Sequence, residues 1–416
     1  MPDGAVSVRV EDSRRALSTI ARNFYENPQE GLKLIGVTGT NGKTTVVRMI
    51  GHVLDGLGIV NAVLGTVGHV IAGTHIDATH TTPSALELWR LLALAKDKGV
   101  EVVAMEVSSH ALEMERVFGL EFDVSVFTNL TQDHLDFHKT MEAYFAAKSR
   151  LFTRFTKGVS VVNCDDEYGQ RLVGMVQRTV SYGVDGDHSY AAQVCSMDAR
   201  GLRLVVRHQR GRAELDSPLV GLHNAYNLLA ALGALAELGA ASFAEIASHL
   251  ATFEGVKGRL ERVDTGDLGF SVFIDYAHTP HALESVIKAL LPVTEGRLWV
   301  VFGCGGDRDR GKRPQMGAIA TAFAHRVVVT SDNPRSEEPE AIIEDILKGV
   351  EKREGVIVEP DRKKAIHYAI VNAQPGDVVL IAGKGHETYQ IFADRTIHFD
   401  DAEVAERAVE ERLKGS

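Results

Sequence analysis

The apolar run LKLIGVT leads into Gly39-Thr40-Asn41-Gly42-Lys43-Thr44-Thr45, and a helical pattern follows. Glycines at such a strand-to-helix turn let backbone N–H groups face phosphate oxygens, and the helix N-terminus adds its positive end. Lys43 is placed to meet the terminal phosphates of a nucleotide, and Thr44 to offer its hydroxyl to magnesium. The spacing departs from the commoner nucleoside-triphosphatase signature, whose first glycine falls where this chain has Val37.

Two further clusters follow β-branched runs. VVAMEVSSHAL ends on Glu106, Ser108, Ser109 and His110, and VSVFTNLTQDHLDFH on Asn129, Asp133, His134, Asp136 and His138. Ligands of open α/β sheets bind at the carboxyl ends of strands, so Glu106 and His134 are candidate ligands of a metal that bridges phosphates. Taken singly, each is better read as a surface residue; their clustering at two neighbouring strand ends favours a site. A third set lies further on, with Arg308, Ser331-Asp332-Asn333-Pro334-Arg335 and Gly383-Lys384-Gly385-His386-Glu387 again closing strands. The Arg335 guanidinium offers a planar fork that suits a carboxylate, and Glu387 offers a carboxylate that suits an ammonium.

The elements that must position these residues alternate. LKLIGVTG, IVNAVLGT, VEVVAMEV and DVSVFTNL read as strands between helical patterns, which indicates α/β with a mostly parallel sheet. HNAYNLLAALGALAELG is the strongest helix of the chain and SFAEIASHLATF follows it. The charged, glycine-bearing stretch EGVKGRLERVDTGDLG precedes a new strand-helix series, so a boundary is expected near residue 256. Residues 31–255 are expected to form a central ATP-binding domain and 256–416 a C-terminal Rossmann-like α/β domain. The short strands between Lys157 and Leu219 are assigned to a peripheral sheet of the first domain.

With 416 residues, 44% hydrophobic, the chain is long enough for two or three domains. Its net charge of −11 argues against nucleic-acid wrapping. Three widely spaced cysteines, Cys164, Cys195 and Cys304, suggest neither a disulfide framework nor a zinc site, which fits a reducing cytoplasm. No run resembles a signal peptide or a membrane span.

The ordered series GVTGTNGKTT, MEVSSHAL, TNLTQDHLDFH, YFAAKSRLF, HNAYNLLAA, GRLE, DYAHTP, FGCGGDRDRGKRP, TSDNPR and AGKGHE resembles the Mur ligases, which assemble the peptide of bacterial peptidoglycan. More narrowly it is similar to the MurE type, which adds the third residue. The resemblance runs from about Gly31 to the C-terminus. It implies that Lys148 is carbamylated; a carbamate offers magnesium oxygens where an ammonium would repel it. On periodicity alone Lys148 reads as a solvated lysine of an amphipathic helix. The resemblance further assigns Asn224, Asn227, Arg259, Asp275, Tyr276 and His278 to ATP, with N-capping as a competing role for Asn224. It assigns His80, Thr81, Thr82, Ser108 and Arg116 to the UDP-N-acetylmuramoyl dipeptide, with Met114 departing from a polar contact of some relatives. Arg308, Asp332, Asn333, Pro334, Arg335, Gly383 and Glu387 fall to the incoming amino acid. The DNPR pattern is that of diaminopimelate-selective members, since diaminopimelate carries both charges at its far end and lysine only an ammonium.

The reaction implied is phosphorylation of the D-glutamyl carboxylate by ATP, with attack by the amine on the acyl phosphate. Catalysis is then positioning and electrostatics, with closure of the domains excluding water. Magnesium and ATP are the expected cofactor and cosubstrate, and a monomer without nucleic-acid or membrane partners is expected. About thirty residues precede the first strand, too few for the UDP-gripping N-terminal domain of such ligases. Residues 1–30 are therefore expected to be the remnant or linker of that domain. The rivals are the same reaction with L-lysine, a folylpolyglutamate or cyanophycin-type synthetase, and a non-catalytic nucleotide-binding module.

Overall fold

LKLIGVT forms β1 (Lys33–Thr38), whose last five residues are buried, as a parallel strand covered by helices requires. In this computed structural model the described residues are 8–209, 211–352 and 354–415. The chain divides into two units, one running through Cys195 and including Arg203–Ser217 and His223–Phe253, the other Ser196–Leu202, Pro218–Leu222 and Glu254 onward.

In chain order after β1 come β2 (Asn61–Gly65), β3 (Gly68–Ile71), β4 (Thr74–Ile76), β5 (Val102–Glu106), β6 (Phe122–Phe127) and β7 (Thr156–Asn163). Next are β8 (Thr179–Val184), β9 (Tyr190–Asp198), β10 (Gly201–His208) and β11 (Gly211–Ser217). Among the described residues they make one sheet in the order β11-β10-β9-β8-β7-β6-β1-β5-β2-β3-β4. The pairs of β1 with β5 and β6 are parallel, as are β2 with β5, β6 with β7 and β7 with β8. The short strands between Lys157 and Leu219 therefore do not form a separate peripheral sheet. β7 pairs in parallel with β6 from Val124 to Phe127, and the ladder simply continues to β11.

Register sets the site. Val37 lies opposite Glu106 and Thr38 opposite Phe127, so the phosphate loop, Glu106 and Thr128 leave the sheet at one edge. The helix Leu222–Leu238 is apolar and buried along most of its length. The next, Phe243–Ala251, opens with a capping box between Ser242 and Glu245.

The second unit holds β12 (Glu261–Val263), β13 (Ser271–Asp275), β14 (Leu298–Phe302), β15 (Arg326–Val329), β16 (Val356–Val358) and β17 (Val378–Ala382), ordered β12-β13-β17-β14-β15-β16. Only β12 runs antiparallel to its neighbour. Asp275 pairs with Ala382, Ala382 with Phe302 and Phe302 with Val329, which puts four carboxyl ends level in one row. Val300 and Leu380 face one apolar layer and Val301 and Ile381 the other, the alternation of a doubly covered sheet. A small hairpin, β18 (Tyr389–Ile391) with β19 (Thr396–His398), follows. Among the described residues no helix is long and apolar enough to cross a membrane.

Candidate active site

Gly42 caps the helix Lys43–Gly56 in the left-handed conformation, φ 86°, and Gly39 has φ 152°. A Cβ at Gly39 would lie 1.8 Å from Thr128 Oγ1, and one at Gly42 2.4 Å from Asn227 Oδ1, so both conformation and space demand glycine. Asn129 holds the loop between them, its carbonyl accepting from Thr40 N at 2.9 Å and its Oδ1 from Asn41 N at 2.9 Å. Thr128 Oγ1 donates to Asn41 O at 2.6 Å. Lys43 folds back over the loop and donates to the carbonyls of Gly39 and Thr40, both at 2.8 Å.

Lys148 converges on the same carbonyl. It sits on the helix Met141–Arg150, is 1% exposed, and donates to Gly39 O at 2.7 Å. The solvated lysine that periodicity indicates is thus a buried one, because this helix packs against the phosphate loop. Burial, aided by the Lys43 charge, holds the amine far below the ordinary lysine range, and a neutral amine is the form that adds carbon dioxide. The Tyr144 ring lies 4.7 Å from Lys148 Nζ, and its hydroxyl meets Thr40 Oγ1 at 3.2 Å. Sequence reasoning missed Tyr144, although it precedes Lys148 by one helical turn and so shares its face. Burial pushes its phenol up to about 12.

Glu106 is 1% exposed, and its carboxylate accepts from Thr66 N at 2.8 Å and Thr66 Oγ1 at 3.2 Å. His134, at φ 53°, is about half exposed and its ring is edge-on to His110 at 4.8 Å and to Tyr144 at 6.0 Å. His138 stacks on Tyr144 and meets Ser109 Oγ at 2.9 Å. Burial lowers the pKa of both His110 and His138. Among the described residues no three His, Cys, Asp or Glu side chains converge as metal ligands. With Lys148 as an amine, two lysines share one carbonyl and magnesium is disfavoured. A carbamate at Lys148 would instead offer hard oxygens of the kind that magnesium takes.

The segment His80-Thr81-Thr82 is tied to the same strand end. Thr82 Oγ1 donates to Glu106 O at 2.9 Å, accepts from Ser108 N at 3.0 Å, and lies 3.3 Å from Ser108 Oγ. Thr66 Oγ1 meets Thr81 Oγ1 at 3.1 Å. Arg116 donates to Thr82 O at 2.8 Å and reaches the Met114 sulfur at 3.6 Å, so the departure at Met114 still leaves a weak acceptor. Burial lowers the Arg116 pKa. His80 is exposed and bonds its neighbour Thr79 at 3.0 Å.

Asn224 lies inside the helix that begins at Leu222, which removes N-capping as its role. Its Oδ1 accepts from Asn227 Nδ2 at 3.0 Å, and Asn227 abuts Gly42.

Within the second unit the four level strand ends carry the remaining candidates. Asp275 accepts from Leu260 N at 2.8 Å and Ala277 N at 2.9 Å, with burial raising its pKa against the Arg259 charge. The Arg259 guanidinium lies 5.2 Å from the Tyr276 ring, and His278 is 4.5 Å from that ring on its other contact. Burial lowers the pKa of His278, whose Nδ1 meets Tyr276 O at 2.9 Å.

Asp332 and Asn333 are buried, and Arg335 takes φ 53° with Nη1 donating to Gly306 O at 2.8 Å. A Cβ at Gly305 would approach Arg335 Nη1 to 2.9 Å and Arg308 Cγ to 3.7 Å, so both arginines flank one turn; Arg308 itself is exposed. Pro334 follows Asn333, and its carbonyl packs on Gly306. Asn333 Nδ2 donates to Glu387 Oε2 at 2.9 Å, and Gly383, at φ 121°, leaves room for Asp332. Sequence reasoning passed over two buried members here. Lys384 donates to Asn333 Oδ1 at 3.1 Å and Glu387 Oε2 at 3.3 Å, and Gln390 donates to Asp332 O at 2.7 Å.

Comparison with known proteins agrees with this geometry. Residues 37–235 match the Mur ligase middle domain, and 258–385 the Mur ligase, glutamate ligase domain. The chain is 48% identical over 99% of its length to UDP-N-acetylmuramoyl-L-alanyl-D-glutamate--2,6-diaminopimelate ligase of Thermosynechococcus vestitus, of which it covers 83%. It is 50% identical over 94% of its length to the ligase of the same name from Synechococcus elongatus, covering 80%. A solved structure of a UDP-N-acetylmuramoyl-L-alanyl-D-glutamate--2,6-diaminopimelate ligase superposes with a TM-score of 0.73 at 35% identity, over 96% of this chain and 83% of that one. With both domain models matched and such identity sustained along nearly all of its length, the chain belongs to the Mur ligase family, within its MurE type.

Proposed function

We propose that this chain is an ATP-dependent ligase that joins meso-diaminopimelate to the D-glutamyl carboxylate of UDP-N-acetylmuramoyl-L-alanyl-D-glutamate, releasing ADP and phosphate. Its near relatives are named for that reaction. The observation that carries the amino-acid choice is that Arg335 and Glu387 are tied to one core of hydrogen bonds: Asn333 Nδ2 donates to Glu387 Oε2 at 2.9 Å, Ile391 N to Asn333 Oδ1 at 3.0 Å, and Arg335 N to Ile391 O at 3.0 Å. A fork and a carboxylate in one cluster suit an amino acid with a carboxylate and an ammonium at its far end.

ATP would lie along residues 39–45, with Lys43 leaving the Gly39 and Thr40 carbonyls for the terminal phosphates and the N–H groups of the helix start taking the oxygens. Asn224, Asn227, Arg259, Asp275, Tyr276 and His278 would hold the rest of the nucleotide. Thr44, Glu106, His134 and carbamylated Lys148 would hold magnesium, which when bound neutralises charge on the transferring phosphoryl group. His80, Thr81, Thr82, Ser108 and Arg116 would orient the dipeptide so that its terminal carboxylate oxygen attacks the γ-phosphorus and ADP leaves. Arg308, Asp332, Asn333, Pro334, Arg335, Gly383 and Glu387 would present the diaminopimelate amine, deprotonated, to the acyl carbon. Formation of the C–N bond then expels phosphate, and the nitrogen loses its second proton. Every step is positioning and charge stabilisation, without a covalent enzyme intermediate. The site works as a monomer on small-molecule substrates in the cytoplasm.

The test is phosphate release by the purified chain with ATP, magnesium, the UDP-dipeptide and either meso-diaminopimelate or L-lysine. Release is expected only when all substrates are present, and faster with diaminopimelate. Faster turnover with lysine overturns the amino-acid assignment, and release without the dipeptide overturns the ligase.

A further inference from the structure

Lys384 is a charged side chain with no exposed surface, placed between two residues assigned above to the amino acid. Its ammonium donates to Asn333 Oδ1 at 3.1 Å and to Glu387 Oε2 at 3.3 Å, and the face of Tyr389 lies 5.5 Å away. Ile391 N also donates to Asn333 Oδ1, at 3.0 Å. Two donors on that oxygen fix the amide, so Asn333 Nδ2 must point at Glu387 Oε2. Glu387 is therefore gripped twice through Oε2, while no donor among the described residues contacts its Oε1. The Glu387 side chain is 18% exposed, so it is not sealed in the core.

A lysine buried only for stability is a poor device, because the desolvation of two charges offsets most of their attraction and an apolar pair of similar volume does as well. An ion pair that fixes one oxygen of a carboxylate and leaves the other to a ligand has a different use. We propose that Lys384 is a positioning residue of the amino-acid pocket, holding Glu387 and Asn333 so that Glu387 Oε1 meets the ammonium at the far end of the incoming amino acid. The proposal rests on the diaminopimelate reading above. Without Lys384 the carboxylate keeps a single tether to Asn333 and turns toward water, and the cost falls on amino-acid binding alone. Both side chains that Lys384 holds, Asn333 and Glu387, are assigned to the amino acid.

The experiment measures KM for meso-diaminopimelate, for ATP and for the UDP-dipeptide in the parent, K384M, E387Q and the double variant. The expected result for K384M is a diaminopimelate KM raised at least tenfold, with both other KM values within twofold. In the double variant K384M adds less than twofold to the effect of E387Q, because Lys384 acts through Glu387. Should K384M not fold, K384Q is read in the same way. A diaminopimelate KM within twofold of the parent overturns the proposal, as do a parallel rise in all three KM values and full additivity with E387Q. If the parent itself prefers L-lysine or uses no diaminopimelate, the functional reading fails first. If the parent uses diaminopimelate and K384M keeps the parent's KM for it, the role of Lys384 alone is refuted.

Discussion

Arg335→Ala isolates the charge proposed to choose the amino acid. The backbone at 335 already lies at φ 53° in a non-glycine residue, so alanine inherits that conformation and removes only the side chain. One donor of the guanidinium holds Gly306 O at 2.8 Å, which leaves the rest of the fork for a carboxylate. Hydrogen bonds to a charged group contribute about 1.5–3 kcal/mol. At about 1.4 kcal/mol per decade, kcat/KM for meso-diaminopimelate should fall roughly 10- to 140-fold. L-lysine has no carboxylate at that end, so its kcat/KM should stay level or rise as the repulsion disappears. The assay is steady-state phosphate release with each amino acid at saturating ATP and dipeptide, and the quantity read is the ratio of the two specificity constants. An equal fall for both amino acids would mean that Arg335 only supports the turn at Gly306, and the reasoning would be refuted.

Lys148→Ala is expected to lower kcat by about 10²–10³-fold, the loss typical of one charge-stabilising group. Exhaustive removal of carbon dioxide and bicarbonate should slow the parent and leave this variant unaffected; near-normal turnover of the variant contradicts the assignment. A third expectation concerns stability. Two hydrogen bonds from the buried Arg313 hold the Glu337 carboxyl at about 2, below its usual 4.5. A depressed carboxylate gives stability that is complete above pH 4.5 and lost as pH falls toward about 2. Glu337→Gln should therefore lower the thermal midpoint at pH 7, with the gap to the parent closing across that window. A gap that is constant with pH sinks the argument.

The strand-to-helix turn at 39–45 was legible because its glycines and the helical pattern after them mark it, and the place of Glu106 because it ends a β-branched strand, which pairs with β1. Lys148 was not. The helix Met141–Arg150 buries Tyr144, Phe145, Ala147, Lys148 and Ser149, a broad face on which a lysine and a serine stand among the apolar residues, so no clean apolar stripe marks it in the sequence. Lys384 was hidden for a related reason: a lysine is rarely buried, and its partners Asn333 and Glu387 come from different loops that only the level strand ends of β15 and β17 bring together. The short strands between Lys157 and Leu219 were assigned to a peripheral sheet because short strands carry no mark of which edge they join. N-capping stood as a competing role for Asn224 because the sequence does not mark the helix start, which falls at Leu222.

The most direct test of the ligase chemistry is the fate of oxygen. UDP-N-acetylmuramoyl-L-alanyl-D-glutamate carrying ¹⁸O in both oxygens of the reacting carboxylate would be converted with ATP and meso-diaminopimelate, and product and phosphate analysed by mass spectrometry. An acyl phosphate requires one ¹⁸O in the released phosphate and one in the new amide carbonyl. Phosphate free of the label, with amide formed, would contradict the account.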